Sequence, residues 1–362
     1  MKNLKKLFLR NPKWNHVQDL CLKVVLLLFF IMYSCSNEKL DQPDWTNGSS
    51  VSKPVHNSIK TPGPPQLMAS LPGMAMGSAI GMDGDLFVTQ TGASGSILRF
   101  DKKTGEMSTF VSGLPGSVVP IGGVVDVAFM DDTAYALVTL VGSFFGDDHV
   151  NGIYRIDGPD SYTVIADIGE FTLNNPPTGF DYFLPTGLQF AMQTYRGGFL
   201  VTDGHHNRVY HVTLDGEVSE FKVFDNIVPT GLEVSGNTVY MTEAGTSDQF
   251  HENSKIVSIN SKSKNVSDLA WGAPLIVDVE FNRGRTLFAI SQGQWAGEAE
   301  GDAALPYTGA LVMVNNDGTL TTIADGLDRP TSLEFIQNTA YIVLLPGEIW
   351  AVENAAGPPF GG

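Results

Sequence analysis

Cysteine is nearly absent from the sequence, which contains only two among its 362 residues. Cys21 lies in an N-terminal segment that is predicted to be removed, so the exported protein keeps Cys35 alone. One cysteine cannot form a disulfide within the chain, and it cannot supply the several thiolates of a zinc–cysteine site. The sequence therefore excludes a disulfide-stapled fold and a zinc site built on thiolates.

Basic residues are also scarce, because 22 lysines and arginines face 39 acidic residues and the net charge is −17. The first 34 residues hold six of the basic residues and one acidic residue, so the remainder is still more acidic. Such a surface repels phosphate backbones and anionic lipid headgroups. We therefore predict no binding to nucleic acid, and contact with a membrane only through a lipid anchor.

The chain has no long hydrophobic run. Its longest one, at residues 24–33, is too short to cross a bilayer core of roughly 30 Å as a helix. The run follows a basic stretch and ends at Ser34 and Cys35, which resembles a bacterial lipobox. We predict a lipoprotein signal peptide over residues 1–34, with Cys35 acylated and the protein anchored to the outer membrane of a bacterial cell envelope, facing the periplasm or the cell surface. A plain secretory peptide is the alternative.

After Cys35, residues 35–65 are rich in serine, proline, asparagine and glycine, which is typical of a flexible tether. The rest of the chain shows no helical periodicity. It contains instead units of four short apolar or alternating strands, and these units begin near residues 79, 126, 187, 231, 278 and 332. Four-stranded units that recur every 40 to 60 residues indicate propeller blades. The sequence predicts an all-β, six-bladed β-propeller over residues 66–355, with seven blades if the longest repeat hides another.

The last repeat unit stops after its third strand, near residues 349–352. Residues 66–73 resemble the fourth strands of other units, so an N-terminal strand is predicted to complete the last blade and close the ring. Closure of this kind removes the exposed edges that a linear array of sheets would keep.

The predicted connections differ sharply in length between the two ends of the blades. Tight turns with Asp-Gly or Ser-Gly pairs lie at one end. The long connections all lie at the other end: residues 141–151, 167–184, 243–254 and 292–309. We call this end the long-loop face, and we predict the functional site there because binding residues are often carried on loops of a rigid scaffold.

Residues 165–176, with their Asn-Asn-Pro segment, and residues 184–188, 200–204 and 228–232 resemble the ScyD/ScyE propeller family, which is related to NHL-like and SMP-30-like propellers. The resemblance covers roughly residues 73–352. It implies the β-propeller fold, and it carries no established catalytic residues over to this chain.

Asp203 and Glu243 are predicted to end equivalent second strands. Together with Asp148 and either Asn174 or Asn175 in nearby loops they would form a Ca²⁺ site built from oxygen ligands, as in SMP-30-like lactonases. The alternative is that the two carboxylates bond to neighbouring backbone amides and hold the blades together. This second interpretation is favoured because the matching positions in other blades carry uncharged side chains, namely Gln90, Thr139 and Gln292.

Two further polar groups stand out in the sequence. His205 and His206 are adjacent in a predicted turn, where neighbouring side chains point apart, so a solvated turn is favoured over a metal site. Asp126 and Asp278 fall at matching positions of first strands, where Gly187 and Gly231 stand in other blades. First strands line the channel of a propeller, so these carboxylates are predicted to face channel water or a cation.

Aromatic residues in the long connections, with Tyr182 and Trp295 foremost, are predicted to form a platform for a sugar or an apolar partner. We therefore place the candidate ligand site at Asp203, Glu243, Asn175, Tyr182, Gln292 and Trp295. The sequence has no Gly-x-Ser-x-Gly, Walker or His-Glu-x-x-His pattern, so no catalytic residue is assigned. A module that binds a small molecule, a sugar or a protein is favoured, and a Ca²⁺-dependent SMP-30-like lactonase is the alternative.

Overall fold

The computed structural model describes residues 61–81, 83–119, 121–246, 254–295 and 302–355. The predicted signal peptide, Cys35 and nearly all of the predicted tether lie outside these residues. Within them, no helix is both long and apolar enough to cross a membrane. The described chain forms 24 strands in six separate four-stranded antiparallel sheets, which follow one another as six blades.

The first three blades are each continuous in sequence. The first strand of the chain, β1 (Gln66–Ser70), belongs to the last blade. Blade 1 contains β2 (Ala75–Ile80), β3 (Leu86–Gln90), β4 (Gly95–Phe100) and β5 (Met107–Leu114). Blade 2 contains β6 (Gly123–Met130), β7 (Thr133–Thr139), β8 (Gly152–Gly158) and β9 (Ser161–Asp167). Blade 3 contains β10 (Gln189–Tyr195), β11 (Gly198–Asp203), β12 (Arg208–Thr213) and β13 (Val218–Val223).

The next two blades repeat this order, and the last blade joins the two ends of the chain. Blade 4 contains β14 (Pro229–Ser235), β15 (Thr238–Glu243), β16 (Lys255–Asn260) and β17 (Val266–Trp271). Blade 5 contains β18 (Ile276–Phe281), β19 (Leu287–Ser291), β20 (Gly309–Val314) and β21 (Leu320–Leu327). Blade 6 contains β22 (Pro330–Ile336), β23 (Thr339–Leu344), β24 (Glu348–Val352) and β1 (Gln66–Ser70).

The predicted closure of the ring is confirmed, because β1 pairs with β24 at the outer edge of blade 6. Side chains join blades 6 and 1 as well. The hydroxyls of Ser78 and Ser332 lie 2.9 Å apart, and the Thr331 hydroxyl donates to the carbonyl of Ala75. These bonds link residues more than 250 positions apart in the chain, so they connect the first and last blades of the propeller.

Burial follows the position of each strand in its blade. The second strands are buried along almost their whole length, as in β11 and β19, because neighbouring blades cover both of their faces. The outer strands β9 and β13 are mostly exposed or half-buried, and each contains a single buried residue. Buried, apolar second strands and largely exposed outer strands are therefore the physical origin of the repeat seen in the sequence.

The structure corrects two expectations about local structure. A short helix, α1 (Ile168–Asn174), occupies the connection between β9 and β10, where no helix was predicted. Asp167 caps it, because its side chain accepts a hydrogen bond from the Glu170 amide. The two Pro-Thr-Gly-Leu segments, residues 185–188 and 229–232, also occupy different positions in their blades. Gly187 precedes β10, whereas Gly231 lies within β14.

The strand register shows the true equivalence. Gln189 pairs with Asp203, and Pro229 pairs with Glu243 in the same way. Ala191 therefore matches Gly231, because both amides donate to a threonine hydroxyl of the second strand. Gly187 does not share the first-strand position of Asp126 and Asp278, contrary to the sequence-based expectation.

Candidate functional site

Exposed apolar side chains are concentrated at the long-loop face. The described residues include twelve exposed large hydrophobic side chains. Eight of them lie in connections or at strand ends on this face: Val118, Phe144, Leu173, Phe183, Val223, Trp271, Leu305 and Tyr307. All the aromatic members of the set are among these eight. The remaining four are Leu67, Met68, Val164 and Leu214, on outer strands or a hairpin at the opposite end.

Asp203 lies at the long-loop end of blade 3, and its carboxylate is completely buried. Oδ1 accepts hydrogen bonds from the amides of Leu188 and His206, at 2.9 and 3.0 Å. Oδ2 accepts from the side chains of Gln189 and Tyr210, both at 3.0 Å. Four donors thus occupy its oxygens, so the side chain fits a structural role better than that of a Ca²⁺ ligand.

Gly187 is required beside this carboxylate. Its φ of 71° is in the left-handed region, and a Cβ atom there would collide with the carboxylate of Asp203. The glycine in the Pro-Thr-Gly-Leu segment of blade 3 is therefore explained by close packing on Asp203.

The two adjacent histidines are buried, so the solvated turn expected from the sequence is wrong. Nε2 of His205 accepts from the amides of Phe183 and Leu184, at 3.0 and 3.1 Å. Nε2 of His206 lies 2.8 Å from the Leu184 carbonyl, and burial lowers the pKa of this histidine. Both rings hold the connection that precedes β10 against blade 3.

Glu243 occupies the position of Asp203 in blade 4, but its environment is different. The side chain is 2% exposed, and its Oε1 atom has no hydrogen-bond partner. Oε2 lies 3.9 Å from Nζ of Lys255, which forms a closer ion pair of 2.7 Å with Asp268. Burial raises the pKa of Glu243 to about 7, although the charge of Lys255 opposes that shift.

The free oxygen of Glu243 has a cause in the neighbouring strands. The position that carries Gln189 in blade 3 carries Pro229 in blade 4, and proline provides neither a side-chain nor a backbone donor. Val257 of blade 4 stands at the position of Tyr210 in blade 3. The register shows this, because Tyr210 pairs with Val201 of β11 and Val257 pairs with the equivalent Met241 of β15. Both side-chain donors of blade 3 are therefore lost in blade 4.

A pocket of about 620 Å³ lies beside this carboxylate. Glu243, Lys255 and Trp271 lie opposite one another in a row across β15, β16 and β17. Trp271 is 59% exposed, and Asp268 completes the charged lining. Sequence reasoning missed Lys255, Asp268 and Trp271 as site residues. The signal for them is the cross-strand row, which can be found only after Pro229 is aligned with Gln189.

The matched aspartates of the channel join neighbouring blades. The carboxylate of Asp126 accepts from the amides of Val127 and Met192, at 2.8 and 2.7 Å. Asp278 accepts in the same way from Val279 and Leu333, at 2.9 and 2.8 Å. Blade 2 is thereby connected to blade 3, and blade 5 to blade 6. Burial raises the pKa of Asp278 to about 7 and that of Asp126 well above its usual range, against the effect of these amides.

Two glutamates, Glu280 and Glu334, line a cavity of about 50 Å³ in the channel together with Asp126 and Asp278. Nearby, the Glu233 carboxylate accepts a hydrogen bond from the side-chain amide of Gln193 at 2.9 Å. Burial raises the pKa of Glu233 to about 6 and those of Glu280 and Glu334 well above their usual range. Burial therefore favours the neutral form of these acids.

The other predicted site residues have separate places. Asn175 caps α1, and its carbonyl accepts from Nη1 of Arg208 at 2.7 Å. The ring of Tyr182 packs edge-on against His206. Gln292 follows β19, and its side chain accepts from the Ala304 amide. Trp295 donates to the carbonyl of Asp302 and packs on a small cluster with Ala244. Asp148 lies in an exposed connection.

The predicted residues do not form one ligand set in the described part of the chain. There, no group of three or more histidine, cysteine, aspartate or glutamate side chains is arranged to hold a metal ion. Blade 3 instead brings Asp203, Tyr182 and Asn175 into a closed structural network, and blade 4 leaves Glu243 beside a pocket.

Comparisons with known proteins agree with this fold. No family model and no curated protein matches the sequence. A gluconolactonase from Xanthomonas campestris is 13% identical with a TM-score of 0.55, covering 80% of this chain and 89% of its own. A putative glucose dehydrogenase from Thermus thermophilus is 14% identical with a TM-score of 0.54, covering 80% and 99%. The aldose sugar dehydrogenase of Streptomyces coelicolor is 14% identical with a TM-score of 0.52, covering 81% and 98%. At these identities the likeness shows the fold alone: this chain is a six-bladed β-propeller.

Proposed function

We propose that this protein is a ScyD/ScyE-like lipoprotein of the cell envelope that binds a ligand through the long-loop face of its propeller. The supporting observation is the distribution of exposed apolar side chains, eight of twelve of which belong to that face. Exposed apolar groups gathered on one surface are typical of an interaction site. The tether after Cys35 would carry this surface away from the membrane.

The chemistry of the face favours a ligand with flat apolar surfaces and many hydroxyl groups. Phe144, Phe183 and Tyr307 expose aromatic rings in three different connections, with Tyr307 70% exposed. Aromatic rings provide apolar contact area at a low cost in side-chain entropy. A saccharide presents C–H groups on the faces of its ring and hydroxyls at its rim, which suits such a surface in an acidic protein.

The solved propellers named above include a gluconolactonase and two sugar dehydrogenases by name. We therefore take neutral oligosaccharides as the first ligand class to test. Binding is measured by calorimetry and by the shift in melting temperature on addition of saccharide, since a ligand specific for the folded state raises Tm.

We expect one or more saccharides to raise the Tm of the wild-type protein and Tyr307→Ala to reduce that shift. Leu214→Ala is the control, because Leu214 is also an exposed hydrophobic residue but lies in a hairpin at the opposite end. A saccharide that binds both variants alike would place the site elsewhere. Ca²⁺-dependent lactone hydrolysis by the same sample would support the alternative of an SMP-30-like lactonase.

The proposed anchor is tested separately in cells. Cys35→Ala should move the protein from membrane fractions to soluble fractions, since the variant has no thiol to acylate. Unchanged fractionation of the variant would contradict the lipoprotein assignment and leave the binding proposal untouched.

A further inference from the structure

The pocket in blade 4 combines one buried acceptor with one exposed aromatic side chain. Oε1 of Glu243 has no partner although the residue is 2% exposed. Trp271 lies on the same row of strand ends, two strands away, and 59% of it is exposed. The volume of about 620 Å³ is within the usual range for small-molecule sites. A buried acceptor without a donor is costly to a folded protein, so it points to a ligand that supplies one.

The charges around the pocket determine the class of that ligand. Lys255 is 2.7 Å from Asp268, so these two charges largely balance each other. The same ammonium is 3.9 Å from the other oxygen of Glu243, too far for a hydrogen bond. When Glu243 is ionised, these two acids and one lysine carry a net charge of −1, so a positively charged donor would supply both the balancing charge and the missing hydrogen bond.

The contrast with blade 3 supports this assignment. Blade 3 has the same arrangement of charges, because Arg208 forms an ion pair with Glu220 just as Lys255 does with Asp268. Four donors of the chain itself satisfy Asp203, whereas Glu243 lacks the two side-chain donors. A ligand would supply the hydrogen-bond donor to Glu243 that blade 4 lacks.

We propose that the pocket formed by Glu243, Lys255, Asp268 and Trp271 binds an organic cation, a primary amine or a guanidinium attached to an apolar body. The cationic end donates to Oε1 of Glu243, and the apolar body packs on the indole of Trp271, where a cation–π contribution adds to apolar contact. This site refines the proposed function by naming a ligand for one part of the long-loop face, and it is tested with different residues and a different ligand.

Binding of such a cation depends on the ionisation of Glu243. The titratable groups that face this carboxyl are Lys255 on β16 and Asp268 on β17. Burial raises the pKa of Glu243 to about 7, so the ionised form predominates only above neutral pH. Affinity for a cation should rise by roughly tenfold between pH 6 and pH 8, which is the change in the ionised fraction.

The experiment compares benzylamine with benzyl alcohol by calorimetry on the mature protein. The two probes share an aromatic body and differ in the charged end. We expect benzylamine to bind at least tenfold more tightly than benzyl alcohol at pH 8 and to lose that advantage towards pH 6. Equal binding of the two probes, or no binding of benzylamine at millimolar concentration, would overturn the proposal.

Three variants identify the site. Glu243→Gln should abolish the preference for benzylamine and its pH dependence, and Trp271→Leu should weaken both probes. Glu217→Gln is the control, since Glu217 is an exposed acid in a turn of blade 3. Wild-type affinity for benzylamine in Glu243→Gln would overturn the assignment. A saccharide response retained in the same variant would show that the proposed function and this site are independent.

Discussion

Blades 3 and 4 contain the same row of residues at the long-loop face and use it differently. The row is Gln189, Asp203, Arg208 and Val223 in blade 3, and Pro229, Glu243, Lys255 and Trp271 in blade 4. In blade 3 every oxygen of the acid has a donor, and the connection of residues 168–188 packs over the row. In blade 4 the preceding connection is only residues 224–228. In blade 3 the hydrogen bonds of the acid are therefore all made within the protein. In blade 4 one carboxylate oxygen has no donor and lies beside a pocket.

The comparison shows that a buried carboxylate in a repeat protein has no fixed role. Its function depends on the donors that neighbouring strands and connections provide. Two replacements on other strands, a proline for a glutamine and a valine for a tyrosine, separate a structural carboxylate from one suited to binding.

The largest expected effect is a difference in stability between the two acids. Asp203→Ala should lower the free energy of unfolding by about 3–5 kcal/mol, because it leaves the buried Gln189 amide and Tyr210 hydroxyl without their acceptor. Glu243→Gln should change it by about 1 kcal/mol at most at pH 7, since no side-chain donor is left unpaired. Urea denaturation of the two variants measures this. Equal losses would contradict the distinction between the blades.

A second effect is the pH dependence of stability due to Glu243. Its folded pKa of about 7 is above the ordinary value of 4.5, so its contribution is complete below pH 4.5 and is lost as pH rises to about 7. Relative to Glu243→Gln, the wild-type protein should lose about 2–4 kcal/mol over that interval. The acids of the channel titrate in both proteins and cancel in the difference. A flat difference between the two denaturation series would mean that Glu243 is not buried as described.

A third change opens the network of blade 3. Gln189→Leu removes the donor to Asp203 and the acceptor of the Thr139 hydroxyl, so we expect a loss of about 1–3 kcal/mol in unfolding free energy. Gln294→Leu serves as the control, because Gln294 is exposed. Thermal or urea denaturation that shows the same small loss for both would indicate that the Gln189 bonds add little.

The smallest expected effect transfers the donor of blade 3 to blade 4. Pro229→Gln should place an amide beside Oε1 of Glu243, stabilise the protein by about 1 kcal/mol and lower the pKa of this carboxyl below about 7. The same variant should bind benzylamine more weakly. Titration of the Glu243 carboxyl by NMR measures its pKa. An unchanged pKa would show that the glutamine alone does not supply the missing hydrogen bond to Oε1.

Several elements of the fold were predictable because their causes are local. The closing strand at Gln66–Ser70 repeats the pattern of other fourth strands, and β1 pairs with β24 as expected. Asp203 and Glu243 end second strands as predicted. Helix α1 was not foreseen, since seven residues are too few for a clear helical period. The burial of His205 and His206 was missed because the connection that covers them folds back from residues 182–184.

The sequence by itself determined the propeller fold, the closing strand and the face that carries the long connections, and it favoured six blades over seven. These features follow from strand-length apolar patterns and turn residues, which act over a few positions of the chain. Only the tertiary structure decided that Asp203 has a hydrogen-bond donor for each oxygen and that Glu243 does not. The donors to Asp203 come from β10, β12 and two connections, and whether such groups meet depends on strand register, which the repeated Pro-Thr-Gly-Leu segments misrepresent by four residues. Hydrogen bonds require contact within about 3 Å, and that proximity is set by the assembled blade.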